Sequence, residues 1–396
     1  MKVTSYETQR PPENERAILV GHVGGSRGER GSGREFIERS IDELALLADT
    51  AGAVVADKLL QRRGTLHPAT FLGKGKVEEL KQLAEMRDAA LIIFDDDLSP
   101  AQVKNLENLL QRKVIDRSEL ILDIFARRAR SRESRLQVEL AQLEYTLPRL
   151  TGMWKHLERQ AGGIGTRGPG ETQLETDRRM VREKISRLKK ELEGVEKERE
   201  TQRARRRREF RAALVGYTNA GKSTLFNALT RAGVFVENRL FATLDSTTRQ
   251  LVSPERHMAL LTDTVGFIRK LPHHLVASFH STLVEAVEAD VLLHVTDASD
   301  PDFVRHITAV DTVLDKILKE PRPPRIMVFN KADRLSDDRA AELRVSYPDC
   351  MIVSALSGDG LDPLRGEIFA RAAAHGQQVR APKPQDEDRE TEPWRP

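Results

Sequence analysis

The sequence predicts a multidomain α/β protein built from a small N-terminal α/β domain, an antiparallel, coiled-coil-like helical hairpin, and a C-terminal α/β domain with a mostly parallel sheet. Three observations lead to this prediction. Short apolar runs alternate with helical patterns in both end regions, which is the arrangement of parallel sheets. Leucine and valine repeat at heptad spacing in the middle region. A length of 396 residues also favours more than one domain.

Composition excludes several classes of protein. Hydrophobic residues make up 39% and charged residues 32% of the chain, and no run approaches the roughly 18 apolar residues of a membrane span. The first residues contain no apolar segment of the kind found in secretory signals. Cys350 is the single cysteine, which excludes an intrachain disulfide and a cysteine-built metal site. We therefore expect a cytoplasmic protein without a membrane span.

The N-terminal α/β domain is predicted over 16–130, after a flexible N-terminus at 1–15. Ser40, followed three residues later by Glu43, predicts a helix that begins at Ser40 with a capping box. Strand-like apolar runs occur at 17–21, 53–56 and 90–94, and helical patterns occur at 74–86, 99–111 and 118–129.

The helical hairpin is predicted over 131–208. The glycines of 162–170 cannot continue a helix, so we expect a glycine-rich tip at 152–175. Two heptad seams joined by a loop most simply fold back on each other, and the alternative is two amphipathic helices packed separately on neighbouring domains. The seams consist of Leu136, Leu140, Leu143, Leu147 and Leu150, and of Val181, Ile185, Leu188, Leu192 and Val195.

The second α/β domain is predicted over 209–374. The residues 375–396 are charged and poor in apolar side chains, which predicts a disordered tail. Strand-like runs of the domain occur at 212–215, 260–261, 291–295, 326–329 and 351–353.

A phosphate-binding loop is predicted between the run 212–215 and the helical pattern that follows it. The pattern G-x-x-x-x-G-K-S lets backbone N–H groups and a helix N-terminus converge on phosphates. Lys222 is then expected to reach the β- and γ-phosphates, and the Ser223 hydroxyl to bind Mg²⁺. A chance glycine turn is the alternative. The residues of the loop are Gly216, Tyr217, Thr218, Asn219, Ala220, Gly221, Lys222 and Ser223.

Three later motifs add a metal and a base to this site. Asp263 ends a strand-like run and is expected to hold the Mg²⁺ shell through water, while the Gly266 N–H meets the γ-phosphate. Asp333 can accept from two donors on guanine that adenine lacks, which favours GTP over ATP. The C-terminal domain is therefore predicted to be a P-loop GTPase domain that binds GTP and GDP. The motifs are Asp263, Thr264, Val265 and Gly266; Asn330, Lys331, Ala332 and Asp333; and Ser354, Ala355 and Leu356.

A first switch loop is expected at 241–249, where one threonine should meet Mg²⁺ in the triphosphate state. Spacing does not choose among Thr243, Thr247 and Thr248. After Gly266 many GTPases carry a glutamine that orients water, but this chain has Phe267, which predicts slow hydrolysis unless a partner supplies that function. Asn219 is a candidate ligand for K⁺, as in potassium-stimulated GTPases that it resembles; a turn-stabilising role is the alternative.

The motifs together resemble the HflX family of ribosome-associated GTPases, in the Obg-HflX-like superfamily of translational GTPases. The likeness extends over about 16–374. It rests on GYTNAGKS at 216–223, on Phe241, Ala242, Thr243, Leu244 and Asp245, on DTVGF at 263–267, on GGIGTRGPGETQLE at 162–175 and on LGKGK at 72–76. Ser246 departs from the pattern, because proline is expected there.

The resemblance implies a cytoplasmic GTPase that binds the large (50S) ribosomal subunit and its rRNA and splits stalled or idle ribosomes under stress. It also implies that Thr243 is the switch threonine that binds Mg²⁺, together with Ser223. Lys222, Thr243 and Gly266 are accordingly the catalytic candidates. We expect a monomer.

The charge distribution agrees with an RNA partner but leaves alternatives open. The segment 177–211 contains fifteen Lys and Arg but only eight Asp and Glu, and four of its arginines form the run 205–208. A surface of this charge can contact phosphates or remain solvated. The predicted tip carries Trp154, Lys155, His156, Arg159 and Arg167, which suit insertion into folded RNA but also a solvated loop.

Three rival functions remain at this stage. The first is a ribosome biogenesis GTPase that acts on a precursor particle. The second is an ATP-dependent RNA-remodelling protein with a second nucleotide site at Gly73–Lys76, although a plain helix start explains that segment as well. The third is a signalling switch without a ribosomal partner. His67, His273 and His274 show no metal-like spacing and are expected to be surface or core histidines.

Overall fold

The structure is a computed structural model. It describes residues 15–23, 33–62, 66–152, 169–204, 209–230, 233, 237, 239–253, 257–270, 285–318 and 322–380. The predicted tip residues 154–167, the run 205–208 and His273 and His274 lie outside the described residues. Contacts divide the chain into two compact units. The first holds the described residues up to Glu196, the segment Glu237–Asp245, and Arg269 and Lys270; the second holds the remainder.

The first unit contains a four-stranded sheet in the order β2-β1-β3-β4, and all its neighbouring strands are parallel. Its strands are β1 (Arg16–Val23), β2 (Val54–Arg62), β3 (Leu91–Phe94) and β4 (Lys113–Asp116). Its helices are α1 (Gly33–Thr50), α2 (Lys74–Met86), α3 (Pro100–Leu110), α4 (Arg117–Arg128), α5 (Arg132–Thr146) and α6 (Pro169–Ala204), whose last turns lie in the second unit. This is the α/β topology that the alternating pattern predicts.

Local sequence explains where these helices begin. Ser99 and Gln102 form a reciprocal capping box at α3, with Pro100 at a position where its missing N–H is not needed. Asp116 caps α4, because its carboxylate accepts from the backbone N–H of Glu119. Helices α2, α3 and α4 and strand β3 fall within a residue of their predicted bounds, and β3 is buried along its whole length.

The predicted capping box at Ser40 is wrong. Helix α1 already begins at Gly33, so Ser40 lies inside it and is buried. The Ser40 hydroxyl donates to Asp95 Oδ2 at 2.8 Å, and the carboxylate of Glu43 pairs with Arg117. Both side chains therefore serve tertiary contacts, which the local pattern cannot distinguish from a helix start.

Helices α5 and α6 lie side by side, as the heptad seams predict. Lys184 and Lys189 on α6 form ion pairs of 2.6 and 2.8 Å with Glu139 and Glu144 on α5. The first seam, however, is not helical to its end: Leu147–Gly152 forms a 3₁₀ helix, because Pro148 lacks an N–H and cannot continue α5. The predicted tip also ends earlier than expected, since α6 begins at Pro169, a residue that the first helical turn tolerates.

The second unit contains a six-stranded sheet in the order β10-β9-β8-β5-β7-β6, which is parallel except for the edge pair β6–β7. Its core is built by aliphatic side chains of β5, β7, β8 and β9 against the flanking helices. Its strands are β5 (Phe210–Gly216), β6 (Thr247–Val252), β7 (Met258–Asp263), β8 (Val291–Asp297), β9 (Arg325–Asn330) and β10 (Met351–Ile352), and its helices are α7 (Lys222–Thr230), α8 (Phe303–Ile317), α9 (Asp337–Ser346) and α10 (Leu361–Arg380).

The fold class is the predicted one, with two corrections at the edges of elements. The tail was expected to begin at 375, but α10 continues to Arg380. Strands β4 and β6 were not predicted. The three-part division into domains stays a prediction. In the part of the chain that is described, no helix is both long and apolar enough to cross a membrane.

Candidate nucleotide-binding site

The sheet of the second unit brings three predicted motifs to one edge. β5 ends at Gly216, β7 at Asp263 and β9 at Asn330, and parallel strands end on the same edge of a sheet. The loop after β5 leads directly into α7, which begins at Lys222. The phosphate loop therefore has the strand–loop–helix context that its pattern requires.

Two glycines of this loop are required by space and by backbone conformation. Gly216 has φ +154°, and a Cβ there would meet the carbonyl oxygen of Val295 at 2.1 Å. Gly221 has φ +87°, and a Cβ would meet Asn330 Nδ2 at 2.3 Å. The left-handed residue between them is Asn219, with φ +61°, a conformation that asparagine tolerates better than most residues.

Lys222 is buried at the start of α7. Its Nζ donates to the carbonyl oxygens of Gly216 at 3.1 Å and Tyr217 at 2.9 Å. Burial lowers the pKa of Lys222 to about 8, and the negative charge of Asp263 opposes that shift. The ammonium therefore sits within the loop, where an anionic ligand would favour its charged form.

Oxygen donors suitable for Mg²⁺ meet beside this lysine. The Ser223 hydroxyl donates to Asp263 Oδ2 at 2.6 Å, and Asp263 is fully buried. The Thr264 hydroxyl donates to the carbonyl of Leu214 at 2.6 Å and so fixes the chain after Asp263 on the sheet. A hydroxyl and one carboxylate fit Mg²⁺, which takes its other ligands from water and phosphate. Among the described residues there is no cluster of three or more His, Cys, Asp or Glu that could hold a metal by itself.

The chain after Asp263 is paired with the phosphate loop. The N–H of Thr218 donates to the carbonyl of Phe267 at 2.7 Å, and the N–H of Phe267 donates to the carbonyl of Gly216 at 3.1 Å. Gly266 lies so close that a Cβ on it would meet the Cα of Thr218 at 2.7 Å. The ring of Phe267 is 1% exposed, so it serves as a core residue and offers no polar atom to water.

Asn330 joins the phosphate loop to the loop that follows β10. Its Nδ2 donates to the carbonyl of Ala220 at 2.9 Å, and its Oδ1 accepts from the N–H of Ala355 at 3.0 Å. Lys331, held at φ +65°, donates to the carbonyl of Asn219 at 3.0 Å and to Asp297 Oδ2 at 2.6 Å. The sequence pattern assigns these two residues to a motif, but it contains no signal of their role in joining loops.

The predicted guanine-recognition residues are also adjacent. The Ser354 hydroxyl donates to Asp333 Oδ1 at 2.5 Å, which orients the carboxylate, while Asp333 remains exposed. Ser354 itself is fully buried, and its N–H donates to the carbonyl of Asp359 at 2.9 Å. A fixed carboxylate open to solvent is what two converging donors of a base would meet.

The predicted switch segment 241–249 begins in the first unit and ends in strand β6 of the second unit. Phe241 and Asp245 belong to the first unit, where Phe241 packs edge-on against Phe125 with ring centroids 4.6 Å apart. Burial tends to raise the pKa of Asp245, but hydrogen bonds from Ser131 outweigh it and the pKa is lowered. The nucleotide contacts predicted for Phe241–Asp245, including Thr243, stay predictions.

The two other candidate threonines lie in strand β6. Thr247 and Thr248 pair with Asp263 and Thr262 of β7, and the hydroxyls of Thr248 and Thr262 are 2.9 Å apart. Thr243 precedes this strand and is not part of it. Sequence spacing could not separate these residues, because the antiparallel edge strand was not predicted.

A stacked pair beneath the loop was not foreseen. The rings of Tyr217 and His306 lie 4.0 Å apart and within 9° of parallel. His306 belongs to α8, which sequence analysis treated only as a helical stretch. A distant aromatic contact of this kind leaves no periodic signal in the sequence.

Known proteins resemble the chain along most of its length. Residues 211–331 match a family described as "50S ribosome-binding GTPase", residues 38–126 one described as "GTP-binding GTPase N-terminal", and residues 128–206 one described as "GTP-binding GTPase Middle Region". GTPase HflX of Lacrimispora saccharolytica is 50% identical over 359 residues, which cover 88% of this chain and 81% of that protein. GTPase HflX of Escherichia coli is 47% identical over 331 residues, which cover 82% and 77%.

A solved structure is similar over nearly the same span. The crystal structure of a complex of SsGBP and GDP covers 91% of this chain and 99% of its own, with a TM-score of 0.48 and 24% sequence identity.

Replacing Asp333 by asparagine is expected to exchange base specificity. An amide at this position cannot accept from both guanine donors, so GTP affinity should fall by about 10²-fold while affinity for xanthosine triphosphate rises. Titration of fluorescent GTP and XTP analogues measures both. Asp337→Asn is the matched control, since it makes the same charge change on an exposed residue four positions away. An unchanged preference for GTP in Asp333→Asn would remove Asp333 from the base site.

Nucleotide affinity is expected to fall as the pH rises above about 8. Lys222 has a pKa of about 8 in the free protein, and bound phosphates raise it, so binding takes up a proton above that pH. The dissociation constant for GDP should then increase by up to about tenfold per pH unit, while it stays nearly constant below pH 7. Calorimetry in buffers of different ionisation enthalpy counts the proton directly. A pH-independent affinity with no proton uptake would contradict this assignment.

Proposed function

This chain belongs to the HflX family of GTPases, and on that premise we propose that it is a Mg²⁺-dependent GTPase that binds the large ribosomal subunit and separates stalled or idle ribosomes. The chain is a GTP-hydrolysing enzyme by its membership. The proposal adds the metal, the ribosomal subunit and the consequence of hydrolysis. A cytoplasmic location follows from the same partner.

One observation carries the enzymatic part of this proposal. The phosphate loop, the Ser223–Asp263 pair and the Asp333–Ser354 pair all lie in the second unit, at or after the ends of its parallel strands. Asn330 links two of these loops directly through its amide. A single ligand with phosphates at one end and guanine at the other satisfies all three groups.

The residues divide the chemistry among themselves. Lys222 supplies a buried positive charge to the β- and γ-phosphates, and the backbone N–H of Gly266 is assigned to the γ-phosphate. Ser223 would bind Mg²⁺ directly and Asp263 would hold its shell through water, with Thr243 as the switch ligand in the triphosphate state. Bound Mg²⁺ would neutralise charge that develops on the phosphates. The remaining task, orientation of water, has no polar side chain at position 267.

Support for the ribosomal partner comes from the relatives. The family description matched by residues 211–331 names the 50S ribosome, and relatives close to 50% identical carry the HflX name over most of this chain. In α6 the exposed face is rich in charge of both signs, including the exposed arginines Arg179, Arg182 and Arg187. Exposed arginine along a helix is suited to RNA phosphates. The contribution of the glycine-rich segment 162–170 remains part of the proposal.

The isolated chain is expected to hydrolyse GTP slowly, and ribosomal subunits are expected to accelerate it. The buried ring of Phe267 cannot hold water, so a partner that supplies this function should raise the single-turnover rate by at least about tenfold. Phe267→Gln should not reproduce the gain, because residue 267 faces the core. A fast rate that subunits leave unchanged would contradict the prediction. The same assay in K⁺ and in Na⁺ tests whether the exposed Asn219 contributes to a monovalent cation site.

Co-sedimentation tests the ribosomal partner. The chain should pellet with purified large subunits in the presence of a non-hydrolysable GTP analogue and much less with GDP. Shortening 162–170 should reduce this binding, whereas removal of 388–396 serves as a control that deletes no fewer residues. Recovery on precursor particles instead of mature subunits would favour a biogenesis GTPase. Absence from every ribosomal fraction would exclude the proposed partner and leave the GTPase chemistry intact.

A further inference from the structure

The first unit contains a buried cluster of charges that the nucleotide site does not use. Arg117 is 1% exposed and donates to Asp95 Oδ1 at 2.7 Å and to Glu43 Oε1. Asp95 follows β3 and is itself 3% exposed. Glu43 and Asp95, with their neighbour Asp96, form what we call the acidic dock. The single positive charge of Arg117 does not balance the three negative charges of the acidic dock.

Two further cations of the same unit complete the cluster. Lys270 Nζ lies 2.7 Å from Asp95 Oδ2 and 2.7 Å from Asp96 Oδ1, and it also donates to the carbonyl of Asp95 at 3.2 Å. Arg269 Nε lies 3.5 Å from Glu43 Oε2. With both residues present, three cations face three carboxylates. Without Arg269 and Lys270, the buried carboxylates of Glu43 and Asp95 would have only the guanidinium of Arg117 to balance them. An unbalanced charge is costly in the interior of a protein.

The origin of these two cations is what makes the cluster informative. Arg269 and Lys270 are the third and fourth residues after Gly266, whose N–H is assigned to the γ-phosphate. By their contacts these two residues belong to the first unit, whereas the preceding segment Ser246–Ile268 belongs to the second. Lys270 has φ +51°, so the chain adopts a left-handed conformation at the point where it is held.

The other predicted nucleotide-responsive segment is also held in the first unit. The Asp245 carboxylate accepts from the Ser131 hydroxyl at 2.6 Å and from the backbone N–H groups of Ser131 and Arg130 at 3.1 and 3.2 Å. It therefore serves as an additional cap at the start of α5. Segments on both sides of the β6–β7 pair thus end in polar contacts of the first unit.

We propose that the acidic dock positions Gly266 through Arg269 and Lys270, and thereby couples the first unit to the terminal phosphate of the nucleotide. This rests on the proposed GTPase function, because it assumes that Gly266 meets the γ-phosphate. Only Phe267 and Ile268 lie between Gly266 and Arg269, the first residue of the ion pairs, so a displacement of Arg269 strains the chain at Gly266. Coupling of this kind is reciprocal: a change at the dock alters the relative affinity for GTP and GDP.

The test compares the affinities for fluorescent GDP and for a fluorescent non-hydrolysable GTP analogue. Asp96→Asn removes one charge from the dock at a half-buried position far from the nucleotide motifs in sequence. The GDP-to-GTP affinity ratio is expected to change by at least about fivefold, and Lys270→Ala should change it in the same direction. Asp57→Asn is the matched control: it breaks the Asp57–Arg87 ion pair of 2.9 Å in the same unit and should leave the ratio within about twofold.

Two further variants separate positioning from general damage. The double variant of Asp96→Asn and Lys270→Ala should change the ratio no more than the larger single change, since Lys270→Ala already removes the ion pair with Asp96. Lys270→Arg keeps the charge and should retain the wild-type ratio, whereas Lys270→Gln should not. If Asp96→Asn fails to fold, the comparison of Lys270→Arg with Lys270→Gln still tests whether the dock affects the affinity ratio.

The outcomes distinguish this proposal from the proposed function. Ratios that stay within about twofold of wild type in Asp96→Asn, Lys270→Ala and Lys270→Gln, in proteins that still bind GDP, would overturn the coupling and leave the GTPase assignment standing. Additive effects in the double variant would overturn it as well. A wild-type chain that binds neither guanine nucleotide would instead remove the proposed function itself.

Discussion

The nucleotide site depends on the side-chain amide of Asn330, because this one group joins three segments that the sequence keeps far apart. Its two polar atoms satisfy a carbonyl of the phosphate loop through a buried hydrogen bond and an N–H of the loop after β10 through a half-buried one. Removing such a group would leave a donor and an acceptor without partners in the interior, which costs more than the bonds contribute. The absence of a Cβ at Gly221 is what lets the amide approach so closely.

Burial of ionisable groups around this framework makes the site depend on its ligand. Lys222 and Asp263 are both buried a short distance from each other, and neither is in a low-energy environment for an isolated charge. Bound phosphate would add negative charge beside Lys222, and a divalent cation would add positive charge beside Asp263. Affinity for the nucleotide and stability of the second unit are therefore linked quantities, since a ligand that binds only the folded chain stabilises it.

The sequence contains most of the site and less of what arranges it. The four motifs could be assigned from residue type and order, because each needs particular chemistry at the end of a strand, and the strands are apolar runs. Strand β6 could not be found, since its exposed residues include Arg249 and Gln250 and it is an edge strand. Ser40 and Glu43 fit a capping box by spacing, yet their partners lie 55 and 74 residues away. Long-range partners of buried polar groups are set by tertiary packing, which local patterns do not encode.

The buried position of Phe267 limits which side chains this part of the site can carry. A polar residue here would have to be accommodated in the core, because backbone hydrogen bonds to Gly216 and Thr218 hold residue 267 in line with the sheet and its ring is buried. The same pairing fixes Gly266 against the phosphate loop. The chain thus gains a rigid backbone beside the phosphate loop, whereas residue 267 has no polar side chain that could orient water. This arrangement agrees with the proposal that a ribosomal partner completes the catalytic geometry.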